Sequence, residues 1–131
     1  MDFSLIERDL RNAVSSAIGK SYPISWPNVS FTIPSGPFYR FSIQYGSNEV
    51  IAISSLKEQR ATGIVTIQVF SESGVGTAKS DEMIYSISDK LDNKSFDYVR
   101  TRTVKKKIIG DCGNHYQVNL LIPFISDQQG D

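Results

Sequence analysis

The sequence predicts an α+β fold: an antiparallel or mixed β-sheet with two helices packed on it, in the order α-β-β-β(-β)-α-β-β-β. Three observations lead there. Residues 4–18 carry apolar side chains at helical spacing, and so do residues 77–91. Residues 39–45 and 116–124 instead alternate apolar and polar with the period of a half-buried strand. Strand-rich stretches joined by short links pair as antiparallel hairpins, which leaves the helices to one side of the sheet.

The first helix follows Ser4-x-x-Glu7, the pattern of a capping box in which hydroxyl and carboxylate satisfy the N–H groups of the first turn. Ile6, Leu10, Val14, Ala17 and Ile18 recur at three- and four-residue steps and form one apolar stripe, with Arg8, Arg11, Asn12 and Ser15 on the other side. Gly19 supplies the stop. The prolines at 23 and 27 push residues 22–27 towards extended geometry. Phe31-Thr32-Ile33 reads as a short strand. Tyr39, Phe41, Ile43 and Tyr45 then alternate with Arg40, Ser42 and Gln44. Gly46-Ser47-Asn48 turns the chain, residues 50–54 pair back as a hairpin, and 56–60 form a connecting loop. Residues 63–70, dense in β-branched side chains, are the central strand.

Gly74-Val75-Gly76 leads to a second helix with Thr77 as N-cap, Asp81 and Glu82 near the positive end of the helix dipole, and Ile84, Ile87 and Leu91 as the buried stripe. Asp92-Asn93 ends it. A strand over 96–104, continued by 105–109, turns through 110–114 into a last strand where Tyr116, Val118, Leu120, Ile122 and Phe124 alternate. Residues 126–131 read as a polar tail that frays. There is no internal repeat, linker or low-complexity segment, so the 131 residues read as a single domain.

Composition bounds the function. An apolar share of 40% and a charged share of 21% describe a globular protein, with no apolar run near the ~20 residues that cross a bilayer. Asp2 stands where a signal peptide needs basic residues, which predicts a chain that stays in the compartment where it is made. Fourteen basic and fourteen acidic residues cancel, removing a global electrostatic argument for nucleic acid or an anionic membrane. A single cysteine, Cys112, forbids an intramolecular disulfide and fits a reducing cytoplasm. The sequons at Asn28 and Asn93 are incidental without secretion.

No catalytic constellation emerges, and the chain reads as a non-enzyme with no cofactor. Nucleophilic catalysis needs a base beside its Ser, Cys or Thr, and His115 is the single histidine. Cys112 and His115 could form half a metal site, but no second Cys or His completes one, and a histidine where a turn meets a strand is commonly just an exposed polar residue. The glycines at 74 and 76 lack the spacing and the Lys-Ser/Thr pair of a phosphate loop, so they read as a turn before a capped helix. The carboxylates are scattered, each with a helix-capping or solubility explanation. The strongest charge feature is Arg100, Arg102, Lys105, Lys106 and Lys107. On a continuous strand Arg100 and Arg102 would share a face with Phe96 and Tyr98, a pattern compatible with nucleic acid. The neutral overall charge favours instead a charge-protected edge strand, and after it an interface to an acidic protein partner.

Four pieces, in this order and spacing, carry a family resemblance: the amphipathic opening helix; Trp26-Pro27-Asn28 leading into Phe31; the run from Thr62-Gly63-Ile64 to Gln68-Val69-Phe70 with Gly74-Val75-Gly76 after it; and a last strand ending Leu120-Leu121-Ile122-Pro123-Phe124. The chain resembles the tail-terminator-like proteins of long-tailed bacteriophages over most of its length. That resemblance implies a structural virion protein at the head-proximal end of the tail, assembled in a bacterial host. It implies a ring, hexameric when assembled, that caps the completed tail tube, ends tube polymerisation and offers the surface for head–tail joining. The implied partners are further copies of the chain, the major tail tube protein and a head-completion or connector protein. No small-molecule substrate and no membrane are implied, and nucleic acid enters only by passing through the ring lumen. Arg40, Arg60, Tyr98, Arg100, Arg102, Lys105, Lys106 and Lys107 are the expected interface residues. Tyr39, Tyr45 and Tyr116, the 54–60 loop and the 105–114 hairpin are further expected contacts. The alternatives are a head-completion, minor tail or tube protein on a similar fold, and a small nucleic-acid-binding module using the 100–107 stripe.

Overall fold

A computed structural model describes residues 1–52 and 58–129. The elements are α1 (Phe3–Ile18), β1 (Ile24–Ser25), β2 (Phe38–Ala52), β3 (Glu58–Glu72), α2 (Ala78–Leu91), β4 (Arg100–Thr101), β5 (Lys105–Cys112) and β6 (His115–Gln129). This is the α+β architecture the sequence predicts. One mixed sheet of six strands runs β1-β2-β3-β6-β4, with β5 also on β6, and both helices lie on one face. No helix among the described residues is long and apolar enough to cross a membrane.

Three strands of fifteen residues make the frame. β3 pairs antiparallel with β2 from Phe70↔Phe38 to Glu58↔Ala52 and with β6 over its whole length, from Glu72↔His115 to Glu58↔Gln129. β1 runs parallel to β2 at Tyr39 and Arg40 only. The far edge of β6 is bordered by two strands in tandem, β5 against 115–121 and β4 against 124–125.

Several local expectations give way to this pairing. Gly46-Ser47-Asn48 does not turn the chain. Gly46 and Ser47 form a bulge opposite Thr62, whose hydroxyl lies 2.9 Å from that of Ser47, and β2 continues along β3. The hairpin link therefore falls later; residues 53–57 lie outside the described residues, while 58–60 are strand, not loop. Residues 31–33 form no strand. The expected strand over 96–104 is broken: only Arg100 and Thr101 pair with β6, and the preceding turn closes on itself, Phe96 N–H donating to Val99 carbonyl at 2.7 Å. The tail does not fray at 126: Ser126 and Gln128 are buried on β6, and only 130–131 lie outside the described residues.

The core follows from the two periodicities. Ile6, Leu10, Val14 and Ile18 of α1 and Met83, Ile87 and Leu91 of α2 are buried against Tyr39, Phe41, Val65, Ile67, Val69, Leu120, Ile122 and Phe124, alternate residues on the facing sides of β2, β3 and β6. Each such side chain contributes roughly 1.5–3 kcal/mol. α1 is capped by Asp2 rather than by Ser4: the Asp2 carboxylate accepts the Ser4 N–H at 3.0 Å, and the Asp2 backbone is held by Gln128 of β6, whose Oε1 accepts its N–H at 2.9 Å. Gly74 and Gly76, with φ of 82° and 84°, make the turn before α2, and Thr77 is its N-cap.

One glycine is set by contact alone. Gly63 sits in mid-strand under the Phe124 ring, and an added Cβ would lie 2.5 Å from the Gln44 carbonyl oxygen and 2.7 Å from that ring. We expect Gly63→Ala to lower stability by about 1–3 kcal/mol through overpacking. Urea unfolding checks this, and a midpoint equal to wild type would contradict the packing described.

Candidate functional site

The residues that could carry chemistry are used for structure. The Asp9 carboxylate, buried in α1, accepts the Tyr98 N–H at 2.6 Å and faces Arg8 at 3.3 Å, so it ties the 95–98 turn to the helix. It borders a shallow groove of about 440 Å³ lined also by Asn12, Ser16, Lys90, Phe96 and a second carboxylate, Asp97. Asp97 is exposed and faces the same Arg8 guanidinium at 3.8 Å, so the two acids flank a cation rather than share a proton. His115 is 7% exposed, not the surface residue its position suggested. It lies edge-on to Phe38 and Phe70, with Nε2 3.1 Å from the Gly36 carbonyl, because the 28–36 segment folds over this corner of the sheet. Cys112 is exposed, and among the described residues no three His, Cys, Asp or Glu side chains gather as a metal site would need.

What stands out instead is surface. The helices cover one sheet face, and on the other Ile64 is exposed while Leu121, Pro123 and Ile125 stay half-buried without a covering layer. At one end of that face Arg60 clamps Asp127 with two hydrogen bonds, Nε to Oδ1 at 2.8 Å and Nη2 to Oδ2 at 3.0 Å, and Arg100 reaches the same Oδ2 at 3.0 Å. At the other end the Arg40 guanidinium lies over the Phe70 and Phe38 rings, 5.6 and 6.0 Å from their centroids. Both edges of the sheet are open too. Beyond Arg40 no strand among the described residues pairs with the outer side of β2, and none pairs with the outer side of β5.

The expected interface residues thus separate into groups. Arg60 and Arg100 meet on Asp127, a residue the sequence reading had left in a loose tail. Tyr98 lies apart, 5.4 Å under the Arg8 guanidinium, and Phe96 packs against the core, so the aromatic–basic stripe that suggested nucleic acid does not form. Arg102 is exposed, its backbone N–H donating to Pro123 at 2.8 Å, and Lys105, Lys106 and Lys107 are exposed on β5. Of the tyrosines, Tyr39 belongs to the core: its hydroxyl donates to the Met83 carbonyl at 3.0 Å, and burial pushes the phenol well above its ordinary pKa. Tyr45 is exposed and Tyr116 half-buried. Sequence reasoning passed over Tyr85, 69% exposed on α2, while Ile108 and Ile109, inside the 105–114 hairpin expected to make contacts, are exposed there.

Residues 5–103 match the family model described as phage tail terminator protein. The chain belongs to the phage tail terminator family. It is therefore a structural protein of the phage tail and of the virion, in a family of structural proteins rather than enzymes. A solved structure aligns over 100% of this chain and 99% of its own with a TM-score of 0.72 and 16% sequence identity, which establishes the shared fold. No curated protein matches the chain.

In this terminator-family chain the Asp127 cluster carries a pH signature. The Arg60 hydrogen bonds hold the Asp127 carboxyl below its ordinary pKa against the opposing pull of burial, with the Arg60 and Arg100 charges adding to the effect. A depressed pKa gives stability that is present above the unfolded carboxyl's pKa and lost as pH falls through the folded value. Asp127→Asn is expected to cost about 1 kcal/mol or less at pH 7, since the pair is part-exposed, and the gap to wild type should close on acidification below the usual carboxylate range. Thermal melts across pH check this; a gap that widens in acid would contradict it.

Proposed function

We propose that this chain forms a ring on the head-proximal end of the completed tail tube, stops further addition of tube subunits, and presents the surface to which the head is joined. The observation that carries this reading, beside the family, is the one-sided sheet. Among the described residues both helices lie on one face, the other has no helix over it, and no further strand pairs with the outer side of β5 or with β2 beyond Arg40. A subunit that must meet a tube below, a head component above and a copy on each side needs that many free surfaces, and a head-to-tail contact between copies closes into a ring when its rotation divides the circle. Six copies are the closure we favour. The partners are other copies of the chain, the tube protein and a head-completion or connector protein, with DNA passing through the lumen.

Purified tube protein polymerising with and without this chain tests the reading. The expected outcome is shorter tubes bearing an annulus at one end in negative stain. Tubes that lengthen undiminished at saturating chain would overturn it, and so would light scattering that shows the chain itself polymerising without limit, as a tube subunit does.

A further inference from the structure

β5 is the least explained element of the fold. Residues 105–109 are exposed one after another, so both faces of the strand are bare, and its outer edge is unpaired among the described residues. Ile108 and Ile109 are 58% and 46% exposed at its centre. Lysines on an edge discourage indiscriminate strand pairing, but two adjacent exposed isoleucines beside them are what a specific contact requires.

Charge is segregated about this strand although the chain is neutral. Residues 94–107 hold six cations and one carboxylate; residues 72–92 hold five carboxylates and two lysines. Lys105, Lys106 and Lys107 make no ion pair among the described residues, and neither do Asp81 and Asp89. On α2, Asp81, Glu82, Tyr85 and Asp89 fall at the three- and four-residue spacing of one helix face, all exposed, with Tyr85 the most exposed large side chain of that face.

The pairing places β5 at one edge of the sheet, while α2 crosses the sheet face from Tyr39 to Thr101. Ile24, Tyr39, Val69, Val118 and Ile108 are successive partners across β1, β2, β3, β6 and β5, a row of five strands about 19 Å wide. β5 ends that row. At its other end stands β1; α2 starts near there, Lys79 Nζ being 3.2 Å from the Tyr22 hydroxyl, and ends near the entry to β5, Asp92 accepting the Val104 N–H at 2.8 Å. A basic, isoleucine-bearing sheet edge and a separate acidic, tyrosine-bearing helix face on one body suit a contact between copies in which unlike surfaces meet.

We propose that the outer edge of β5 of one copy docks on the exposed α2 face of the next, the long Lys105, Lys106 and Lys107 side chains reaching round from both faces of the strand to Asp81, Glu82 and Asp89, with Tyr85 against Ile108. This rests on the ring reading above and names its repeating interface. Nucleic acid is the less favoured occupant, because among the described residues none of the three lysines lies over an aromatic ring.

Two charge-reversed chains test it, Lys105→Glu with Lys106→Glu and Lys107→Glu, and Asp81→Lys with Glu82→Lys and Asp89→Lys. All six positions are exposed, so circular dichroism should show wild-type folds. Sedimentation of the full chain, alone and with purified tail tubes, reads assembly. Each reversed chain should lose assembly by about tenfold or more, and an equimolar mixture should regain it, because each reversed strand then meets a reversed helix. Loss without recovery in the mixture, or no loss, overturns the interface while leaving the ring intact. A wild-type chain that never assembles, even on tube ends, overturns both. DNA binding abolished by the lysine reversal with assembly unchanged would assign the strand to nucleic acid.

Discussion

Strand β3 pairs with β6 along its whole length and with β2 from Glu58 to Phe70, and this pairing constrains everything else. It holds β2 and β6 in fixed register, so that alternate residues of three long strands present one continuous apolar face. α1 and α2 can bury their stripes only there. Gly63 lets the backbone of β2 and the Phe124 ring close over the same point, a contact no side chain would permit. The helices also anchor to this frame through polar contacts, Asp2 on Gln128 and Thr101 on the Leu91 carbonyl.

Because both helices go to one face, the sheet is left half-dressed. Here the buried polar groups are satisfied within the fold, and among the described residues no buried side-chain nitrogen or oxygen lacks a partner. Among the described residues, ionisable groups without an ion pair, such as Asp81 and Asp89 on α2 and Lys105, Lys106 and Lys107 on β5, lie at the surface. Such an arrangement serves recognition by surface, and it agrees with membership in a family of tail structural proteins.

What the sequence made legible was what local pattern controls. α1 and α2 show as 3.6-residue stripes, the centre of β3 as a β-branched run, and β6 as an alternation of Val118, Leu120, Ile122 and Phe124. The misplaced features are non-local. Gly46-Ser47-Asn48 has turn chemistry, yet the pairing of β2 with β3 past it is more favourable than a turn, and the residues become a bulge. Ser4-x-x-Glu7 fits a capping box, but Asp2 is fixed by Gln128 from 126 residues away and takes the cap. Tyr39 and His115 are polar-tipped residues whose burial depends on Met83 and Gly36, neither of them a sequence neighbour. Of the expected interface residues, Arg60 and Arg100 converge because β3 and β4 flank β6, a relation no spacing in the chain reveals.

The central claim is that a rigid β3-centred frame carries contact surfaces on its flanks. Amide hydrogen exchange on the free chain and on the chain bound to tail-tube ends tests it most directly. The account predicts slow exchange of β3 amides in both states, with fast exchange in β5 of the free chain that slows on assembly. Fast exchange in β3, or β5 amides that exchange at the same rate before and after assembly, would contradict it.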